Sequence, residues 1–299
     1  MNYEKIPAEN TKKEKLELIK EKDILDLRPK PEKEKPSLPI LVAPGWSNTA
    51  KAMKKPLEAL VEKGRRALTL DYPRKAVVNE AIGEQSIEEV QKAFALLETI
   101  DKKDLKKVDA IGYSEGGLDL AIAASLQPEK FKNLVFVAPA GMIGKDSFYK
   151  LAKRFTAEIA TSNLGATHKP ETIKPVYIMT QEFFKYVAKN PKLATREVKT
   201  MVNADIYQMV KDLKAKGIRI SFVCGADDKV FLMNKIQKKL SEEFPSKKDE
   251  NGNVISKGFN LDGFCSVKGG HQEILLHPKK YMSAIEELLT SLKKKSKLH

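Results

Sequence analysis

The chain has 299 residues, of which 41% are hydrophobic and 31% are charged, and it contains two cysteines. This composition excludes a collagen-like chain, a disordered chain, a membrane-spanning bundle and a disulfide-stapled scaffold. The formal charge is +14, but only seven of the 54 basic residues are arginine, the residue that makes bidentate contacts in nucleic-acid grooves. The dispersed lysine excess indicates a solubilising surface, and we expect no nucleic-acid partner.

The N-terminal part of the chain differs from the rest. The first 24 residues contain no apolar stretch of signal length, and no segment of the sequence is long enough for a membrane span. We therefore expect a cytoplasmic location with free thiols. Residues 1–37 are dense in charges of both signs and carry Pro29, Pro31 and Pro36 toward their end. Two short apolar runs within them predict an N-terminal extension that forms an edge hairpin and then a stiff connector.

From Leu38 onward, short apolar runs alternate with amphipathic stretches. The runs predict strands at 38–43, 67–70, 108–112, 134–138, 218–224 and 264–267. The stretches between them predict helices near 51–64, 86–100, 115–127, 232–244 and 279–294. Such alternation is typical of an α/β fold with a mostly parallel central sheet flanked by helices.

The alternation stops between Met142 and Gly217. This segment has no strong strand pattern, and its helical patterns near 145–162, 171–189 and 192–216 are separated by glycine and proline. We predict an inserted helical cap at 143–217 that covers the carboxyl edge of the sheet. The core would then consist of residues 38–142 and 218–299.

One motif has the setting that nucleophilic chemistry requires. Residues 112–116 read Gly-Tyr-Ser-Glu-Gly, which fits G-x-S-x-G, directly after a predicted strand and before a predicted helix. The flanking glycines remove side chains that would clash in a tight turn, and the helix N-terminus favours developing negative charge. Ser114 is therefore the candidate nucleophile, although a simple glycine-rich turn would give the same letters.

A serine nucleophile needs a base, and the chain has four histidines. His271 follows two glycines directly after the last predicted strand, where the backbone can turn and present the ring at the sheet edge. His299 is terminal, and His168 and His277 each lie close to a proline in a loop or at a helix start. His271 is the candidate base.

The base needs a carboxylate that orients it. The predicted strand 218–224 is followed by Gly225-Ala226-Asp227-Asp228, so either aspartate lies at the carboxyl end of a strand. The purely structural alternative is that Asp227 and Asp228 cap the helix predicted at 232–244. We expect one aspartate to orient His271 and the other to be the cap.

Together these motifs resemble the α/β-hydrolase family, specifically its capped serine hydrolases. The resemblance covers about residues 38–294 and rests on GYSEG, on GADD at the acid strand and on GGH at the base. It implies Asp228 rather than Asp227 as the acid. It also implies an oxyanion hole formed by the backbone N–H groups of Trp46, which follows Pro44-Gly45 where the family usually has His-Gly, and of Glu115.

The resemblance implies a serine hydrolase that cleaves carboxylic esters through an acyl-enzyme intermediate, with a small-molecule ester as its partner and no cofactor. The aromatic residues of the predicted cap favour an apolar acyl group, although they also serve to pack the cap's own helices. The same triad would suit a lactonase, thioesterase, amidase or acyltransferase, and the fold also accommodates non-catalytic ligand-binding proteins. No metal-ligand spacing, phosphate loop or dinucleotide fingerprint occurs in the sequence. We interpret Asp71 as a loop anchor, Glu115 as a structural side chain, and Cys224 and Cys265 as buried, unpaired small apolar residues on neighbouring strands.

Overall fold

A computed structural model describes residues 18–73, 87–144, 146–167, 170–246 and 259–295. Its seven strands form one sheet in the order β1-β3-β2-β4-β5-β6-β7. The strands are β1 (Ile24–Leu27), β2 (Ile40–Ala43), β3 (Ala67–Leu70), β4 (Val108–Tyr113), β5 (Phe131–Val137), β6 (Arg219–Gly225) and β7 (Gly263–Val267). All neighbours pair in parallel except β1 and β3.

Helices occupy most of the remaining described chain. They are α1 (Lys54–Val61), α2 (Ile87–Lys102), α3 (Glu115–Leu126), α4 (Phe148–Thr167), α5 (Pro170–Lys189), α6 (Pro191–Asn203), α7 (Tyr207–Ala215), α8 (Met233–Glu243), α9 (Glu273–Leu276) and α10 (Pro278–Lys295). Single 3₁₀ turns lie at Glu21–Asp23, Pro31–Lys33 and Pro128–Lys130. The predicted fold class, a mostly parallel sheet flanked by helices, is confirmed.

The sheet is covered on both faces because its strands are apolar on both sides. Residues of β2, β3 and β4 are buried throughout. One apolar cluster joins the sheet to α2, α3, α7 and α8, and a second joins its other face to α1 and α10. This three-layer arrangement gathers the carboxyl ends of the parallel strands at one edge, where such sheets bind their ligands.

Of two expectations about local structure, the first lies partly outside the described residues and the second was wrong. The N-terminal extension forms no hairpin within the described residues: Leu18 and Ile19 lie outside any strand, residues 1–17 lie outside the described chain, and β1 pairs antiparallel with β3 instead. The helix expected at 192–216 is two helices, α6 and α7. The chain becomes extended at Ala204, and the side chain of Asp205 accepts a hydrogen bond from the Tyr207 N–H at 3.0 Å and so starts a new helix.

The helices between β5 and β6 occupy the segment predicted as a cap. Helix α7 belongs to the core layers, because it packs against α3 and β6 and buries Val210 and Leu213 in the larger apolar cluster. Helices α4, α5 and α6 contact one another, and α5 also contacts α9, close to the loop that carries His271. We refer to α4–α6 as the lid helices. Within the described ranges, no helix is both long and apolar enough to cross a bilayer.

Candidate active site

Ser114 lies in the turn between β4 and α3, at the middle of the sheet. Its φ of 55° and ψ of −122° form a conformation that non-glycine residues rarely adopt. A Cβ on Gly112 would lie 2.7 Å from the Gly117 Cα, and a Cβ on Gly116 would lie 2.4 Å from the Ala43 carbonyl oxygen. The glycines on either side therefore permit a turn that presents the serine hydroxyl at the carboxyl edge of the sheet.

The structure brings Ser114, His271 and Asp228 together, although 157 residues separate the serine from the histidine in sequence. His271 Nε2 lies 2.9 Å from Ser114 Oγ, and His271 Nδ1 lies 2.8 Å from Asp228 Oδ2. The other oxygen, Asp228 Oδ1, accepts hydrogen bonds from the N–H groups of Val230 and Phe231 at 2.7 and 2.9 Å. Because Asp228 can only accept, we assign the proton of the neutral imidazole to Nδ1, which leaves Nε2 to accept the serine proton.

The neighbouring aspartate has a different role from the one expected. Asp227 is exposed, accepts a hydrogen bond from the Gly269 N–H at 3.1 Å, and donates its own N–H to the Gly269 carbonyl at 3.0 Å. The expected helix cap is wrong, because α8 begins only at Met233, with Leu232 at the capping position. Asp227 instead ties the loop after β6 to the loop after β7, which carries His271.

Side chains from the sheet and from the lid hold the His271 loop. The Tyr113 hydroxyl donates to the His271 carbonyl at 3.1 Å. From α4, the buried Glu158 carboxylate accepts from the Gln272 N–H at 3.4 Å, and a Cβ on Gly270 would lie 2.4 Å from Glu158 Oε1. Burial raises the pKa of Glu158, while nearby His271 opposes that effect. The loop thus rests directly on a lid carboxylate.

Aromatic rings enclose the Ser114–His271 pair. Phe155 and Phe231 meet the imidazole edge-on, with ring centroids 6.0 and 5.4 Å away. Phe155 and Phe183 also meet the indole of Trp46 edge-on, at 5.6 and 5.4 Å. Ser114 is only 2% exposed and His271 only 3%. The surroundings of the hydroxyl are therefore apolar, and the lid covers the site in this arrangement.

The two residues implied as oxyanion donors lie in backbone segments that touch each other. Trp46 belongs to a turn closed by a 3.0 Å hydrogen bond from the Asn48 N–H to the Gly45 carbonyl, and Glu115 is the first residue of α3. The Asp71 carboxylate anchors the same loop, as expected, through the Ala50 N–H at 2.7 Å.

Of the remaining histidines, His277 is the one that the structure describes, and it does not join this cluster. His277 Nδ1 lies 2.6 Å from Glu273 Oε2 at the end of α9, while His168 and His299 lie outside the described residues. Both cysteines are free thiols on the adjacent strands β6 and β7, and Cys224 is buried as expected. Cys265 was expected to be buried as well, but it is only partly buried because β7 is the edge strand of the sheet.

Sequence reasoning missed Lys92, Glu158 and Glu197. All three are charged residues, and each is at most 6% exposed as a whole residue. Lys92 carries no distinguishing pattern in a chain so rich in lysine. Glu158 interrupts an apolar helix face, and this signal could have indicated a buried carboxylate.

A surface groove of about 760 Å³ lies between α1, the loop after β7 and the start of α10. Asp227 and Gly269 border it, but Ser114 and His271 do not line it. The chemistry-bearing side chains converge beneath the lid instead, so we place the candidate site there.

Comparison with known proteins identifies the fold. No family model and no curated protein matches the sequence. Among solved structures, a protein from a study of carboxylesterases of the thaumarchaeon Nitrososphaera gargenis is similar, with a TM-score of 0.60, 17% identity, and coverage of 91% of this chain and 95% of that one. An enol-lactonase from Burkholderia xenovorans LB400 has a TM-score of 0.60 at 12% identity, covering 89% and 96%. A bromoperoxidase from Bacillus anthracis has a TM-score of 0.58 at 16% identity, covering 89% and 94%.

Proposed function

We propose that this chain, which has the α/β-hydrolase fold, is a serine hydrolase that cleaves carboxylic esters with an apolar acyl group. The observation that carries the proposal is the unbroken hydrogen-bonded series from Asp228 through His271 to Ser114, at 2.8 and 2.9 Å. It ends on a serine in a strained turn at a helix N-terminus, the setting in which a hydroxyl becomes a nucleophile.

The reaction begins with attack of Ser114 Oγ on the acyl carbon, as His271 Nε2 takes the serine proton. The carbonyl oxygen becomes an oxyanion that accepts hydrogen bonds from the backbone N–H groups of Trp46 and Glu115. Asp228 stabilises the imidazolium and holds its orientation. His271 then protonates the leaving alkoxide, which departs as the alcohol and leaves Ser114 acylated.

Deacylation repeats these steps with water. His271 Nε2 removes a proton from water as the hydroxyl attacks the acyl carbon, and the same proton is returned to Ser114 Oγ when the carboxylic acid departs. Since Ser114 and His271 are almost fully covered, substrate entry requires the lid helices to move aside, and reclosure excludes bulk water.

The apolar acyl preference rests on the rings that surround the hydroxyl. Trp46, Phe155 and Phe183 form one edge-on cluster beside His271. An ester carbonyl placed at Ser114 Oγ would direct its acyl chain against these rings, where burial of each methylene is favourable.

Active-site labelling tests the proposal. A fluorophosphonate probe should label the folded protein once, and Ser114→Ala should abolish the labelling. The matched variant Ser125→Ala, at the opposite end of α3 from the turn, should keep it. Ester turnover should fall by about 10⁴-fold or more in Ser114→Ala. Labelling at another residue, or full turnover by Ser114→Ala, would refute the proposal.

Lactone opening is a second candidate on the same side chains, since the leaving oxygen then stays tethered to the acyl group. It gains support from the structural similarity to an enol-lactonase. Assays of p-nitrophenyl esters, lactones and anilides in parallel distinguish the substrate classes by their kcat/KM values.

A further inference from the structure

A buried series of charges joins the two residues proposed as oxyanion donors. Lys92 Nζ of α2 lies 2.7 Å from Glu115 Oε2 and 2.8 Å from Glu197 Oε1 of α6. The side chains are 7%, 1% and 2% exposed, respectively. An ion pair this deeply buried keeps its geometry, because a partner that moved away would leave a charge unpaired in a medium of low polarity.

The series continues from Glu197 to Trp46. Glu197 Oε2 accepts a hydrogen bond from the Trp46 indole Nε1 at 2.7 Å and another from the Tyr186 hydroxyl at 2.5 Å. Both residues whose backbone N–H groups would hold the oxyanion are therefore connected through their side chains. The connection runs from Glu115 through Lys92 and Glu197 to Trp46.

The electrostatics of the series favour the charged form of Lys92. Burial alone lowers the pKa of Lys92, but the carboxylates of Glu115 and Glu197 outweigh it and hold the pKa well above the ordinary value of lysine. Lys92 thus remains a cation between two carboxylates. A charged partner makes the hydrogen bond from the indole N–H shorter and stronger than a neutral one would.

The turn that carries Trp46 needs such support. Ser47, the next residue, has a φ of 61°, which a turn of this kind ordinarily gives to glycine. A strained residue persists where its surroundings hold it. Here the support comes from the lid: Phe183 and Tyr186 of α5 pack edge-on against the indole, and Glu197 of α6 binds its N–H.

The spacing between the two donors is sensitive to this loop. The loop backbone packs against the nucleophile turn so closely that a Cβ on Gly116 would lie 2.4 Å from the Ala43 oxygen and 2.5 Å from the Pro44 oxygen. A small displacement of the Trp46 turn would change where its N–H points relative to that of Glu115. Oxyanion donors act only when their distance to the developing charge is correct.

We infer that Lys92 and Glu197 are positioning residues that set the geometry of the oxyanion hole, and that the hole is complete only while α5 and α6 are seated on the core. This inference rests on the function proposed above. Neither residue touches the substrate; both act through the side chains of Trp46 and Glu115. The lid thereby couples closure over the substrate to assembly of the groups that stabilise the transition state.

Glu197→Gln tests the inference, with Arg196→Gln as the matched control. Arg196, the preceding residue of α6, also reaches α2, where its Nε lies 2.5 Å from Glu88 Oε1. Within the described part of the chain, neither Arg196 nor Glu88 forms a hydrogen bond or ion pair with Trp46. With p-nitrophenyl butyrate, Glu197→Gln should lower kcat by about 10- to 100-fold, since loss of one donor typically costs 10²–10³-fold. KM should stay within threefold, and Arg196→Gln should keep kcat within threefold.

Two further readouts separate positioning from general stability. Inhibition by an alkyl trifluoromethyl ketone, whose serine adduct carries an oxyanion, should weaken in Glu197→Gln by the same factor as kcat falls. Trp46 is the single tryptophan of the chain, so its fluorescence reports directly on the indole environment. The emission and its quenching by acrylamide should change in Glu197→Gln and stay unchanged in Arg196→Gln.

The outcomes are distinct. Equal losses of kcat in both variants would mean that α6 only seats the lid, and an unchanged kcat and inhibitor affinity in Glu197→Gln would likewise overturn the inference. If the parent protein neither labels at Ser114 nor turns over any ester, the proposed function itself fails and takes this inference with it. Should Glu197→Gln not fold, Trp46→Phe removes the indole N–H from the other side and should lower kcat by a similar factor with KM retained.

Discussion

Replacing Asp228 by asparagine should disable the site while leaving its architecture intact. The carboxylate has two separable duties: Oδ1 accepts from the N–H groups of Val230 and Phe231, and Oδ2 faces His271 Nδ1. An asparagine oxygen can keep both backbone hydrogen bonds. Its NH₂ group then faces the imidazole.

The consequence is a change of tautomer. An NH₂ donor opposite Nδ1 requires that nitrogen to be the acceptor, so the proton moves to Nε2. In that form Nε2, 2.9 Å from Ser114 Oγ, can no longer accept the serine proton. The corresponding replacement in serine–histidine–aspartate enzymes costs about 10⁴-fold in kcat, or roughly 5.5 kcal/mol of transition-state stabilisation at 1.36 kcal/mol per decade.

Asp227→Asn is the matched control, because it makes the same chemical change one residue away. Asp227 is exposed and accepts one backbone hydrogen bond, which an asparagine oxygen can replace. The kcat of Asp227→Asn should stay within about threefold of the parent value, because the hydrogen bond from the Gly269 N–H is retained. Steady-state kinetics with p-nitrophenyl butyrate and thermal melting of both variants provide the measurements. A larger kcat loss in Asp227→Asn than in Asp228→Asn, or a kcat within tenfold of the parent for Asp228→Asn, would refute the assignment.

Three further predictions concern stability and specificity. Burial raises the pKa of Glu89 from its ordinary value of 4.5 to about 8. Between these two pH values the folded state therefore binds one more proton than the unfolded state. The free energy of unfolding should fall as the pH rises from 4.5 to about 8. Glu89→Gln should remove that slope and gain at most about 5 kcal/mol at pH 8, measured by urea unfolding at several pH values; an unchanged slope would contradict the reasoning. Arg65 is 1% exposed and binds Asp109 at 2.6 Å and Glu286 at 2.8 Å. Arg65→Met should therefore lower the free energy of unfolding by about 3–5 kcal/mol, because it leaves buried carboxylates without their partner. The control Lys54→Met breaks an exposed pair with Glu58 and should lower it by less than about 0.5 kcal/mol. Each methylene added to the acyl chain from acetate toward octanoate should raise kcat/KM by up to about fourfold until the site is full. Phe155→Ala should flatten that series, whereas the control Tyr149→Ala, at an exposed residue, should not. A flat series in the parent protein would count against an apolar acyl site.

The positions of Ser114 and His271, the proposed nucleophile and base, could be inferred from the sequence because their backbone geometry requires glycines nearby. Glycines at fixed positions around Ser114 are required by the close approach of β4, α3 and the Trp46 loop, and two glycines precede His271 for a similar reason. The choice between Asp227 and Asp228 depended on resemblance to a family. The two residues differ only in which way each side chain points, and alternation of apolar residues does not report that.

The parts that escaped prediction depend on contacts between distant segments. Lys92 and Glu197 are 105 positions apart, and each stands among many residues of its own kind in an amphipathic helix. The break between α6 and α7 depended on a single side chain, Asp205, within a pattern that continued across it. Strand β1 pairs with β3 at the edge of the sheet, and its short apolar run gives no indication of that partner.

The strand order has a consequence for how the protein is made. Synthesis proceeds from the N-terminus, and domains begin to fold as segments emerge. Strands β2 and β4 and the turn that carries Ser114 are therefore synthesised before the proposed acid and base. The proposed acid follows β6, and the proposed base follows β7 at the far edge of the sheet. A chain truncated before β6 lacks both the proposed acid and the proposed base, so we expect it not to hydrolyse esters. Recovery of hydrolysis during refolding should coincide with the slowest structural phase, the docking of the last strand, because contacts of such long sequence separation form late.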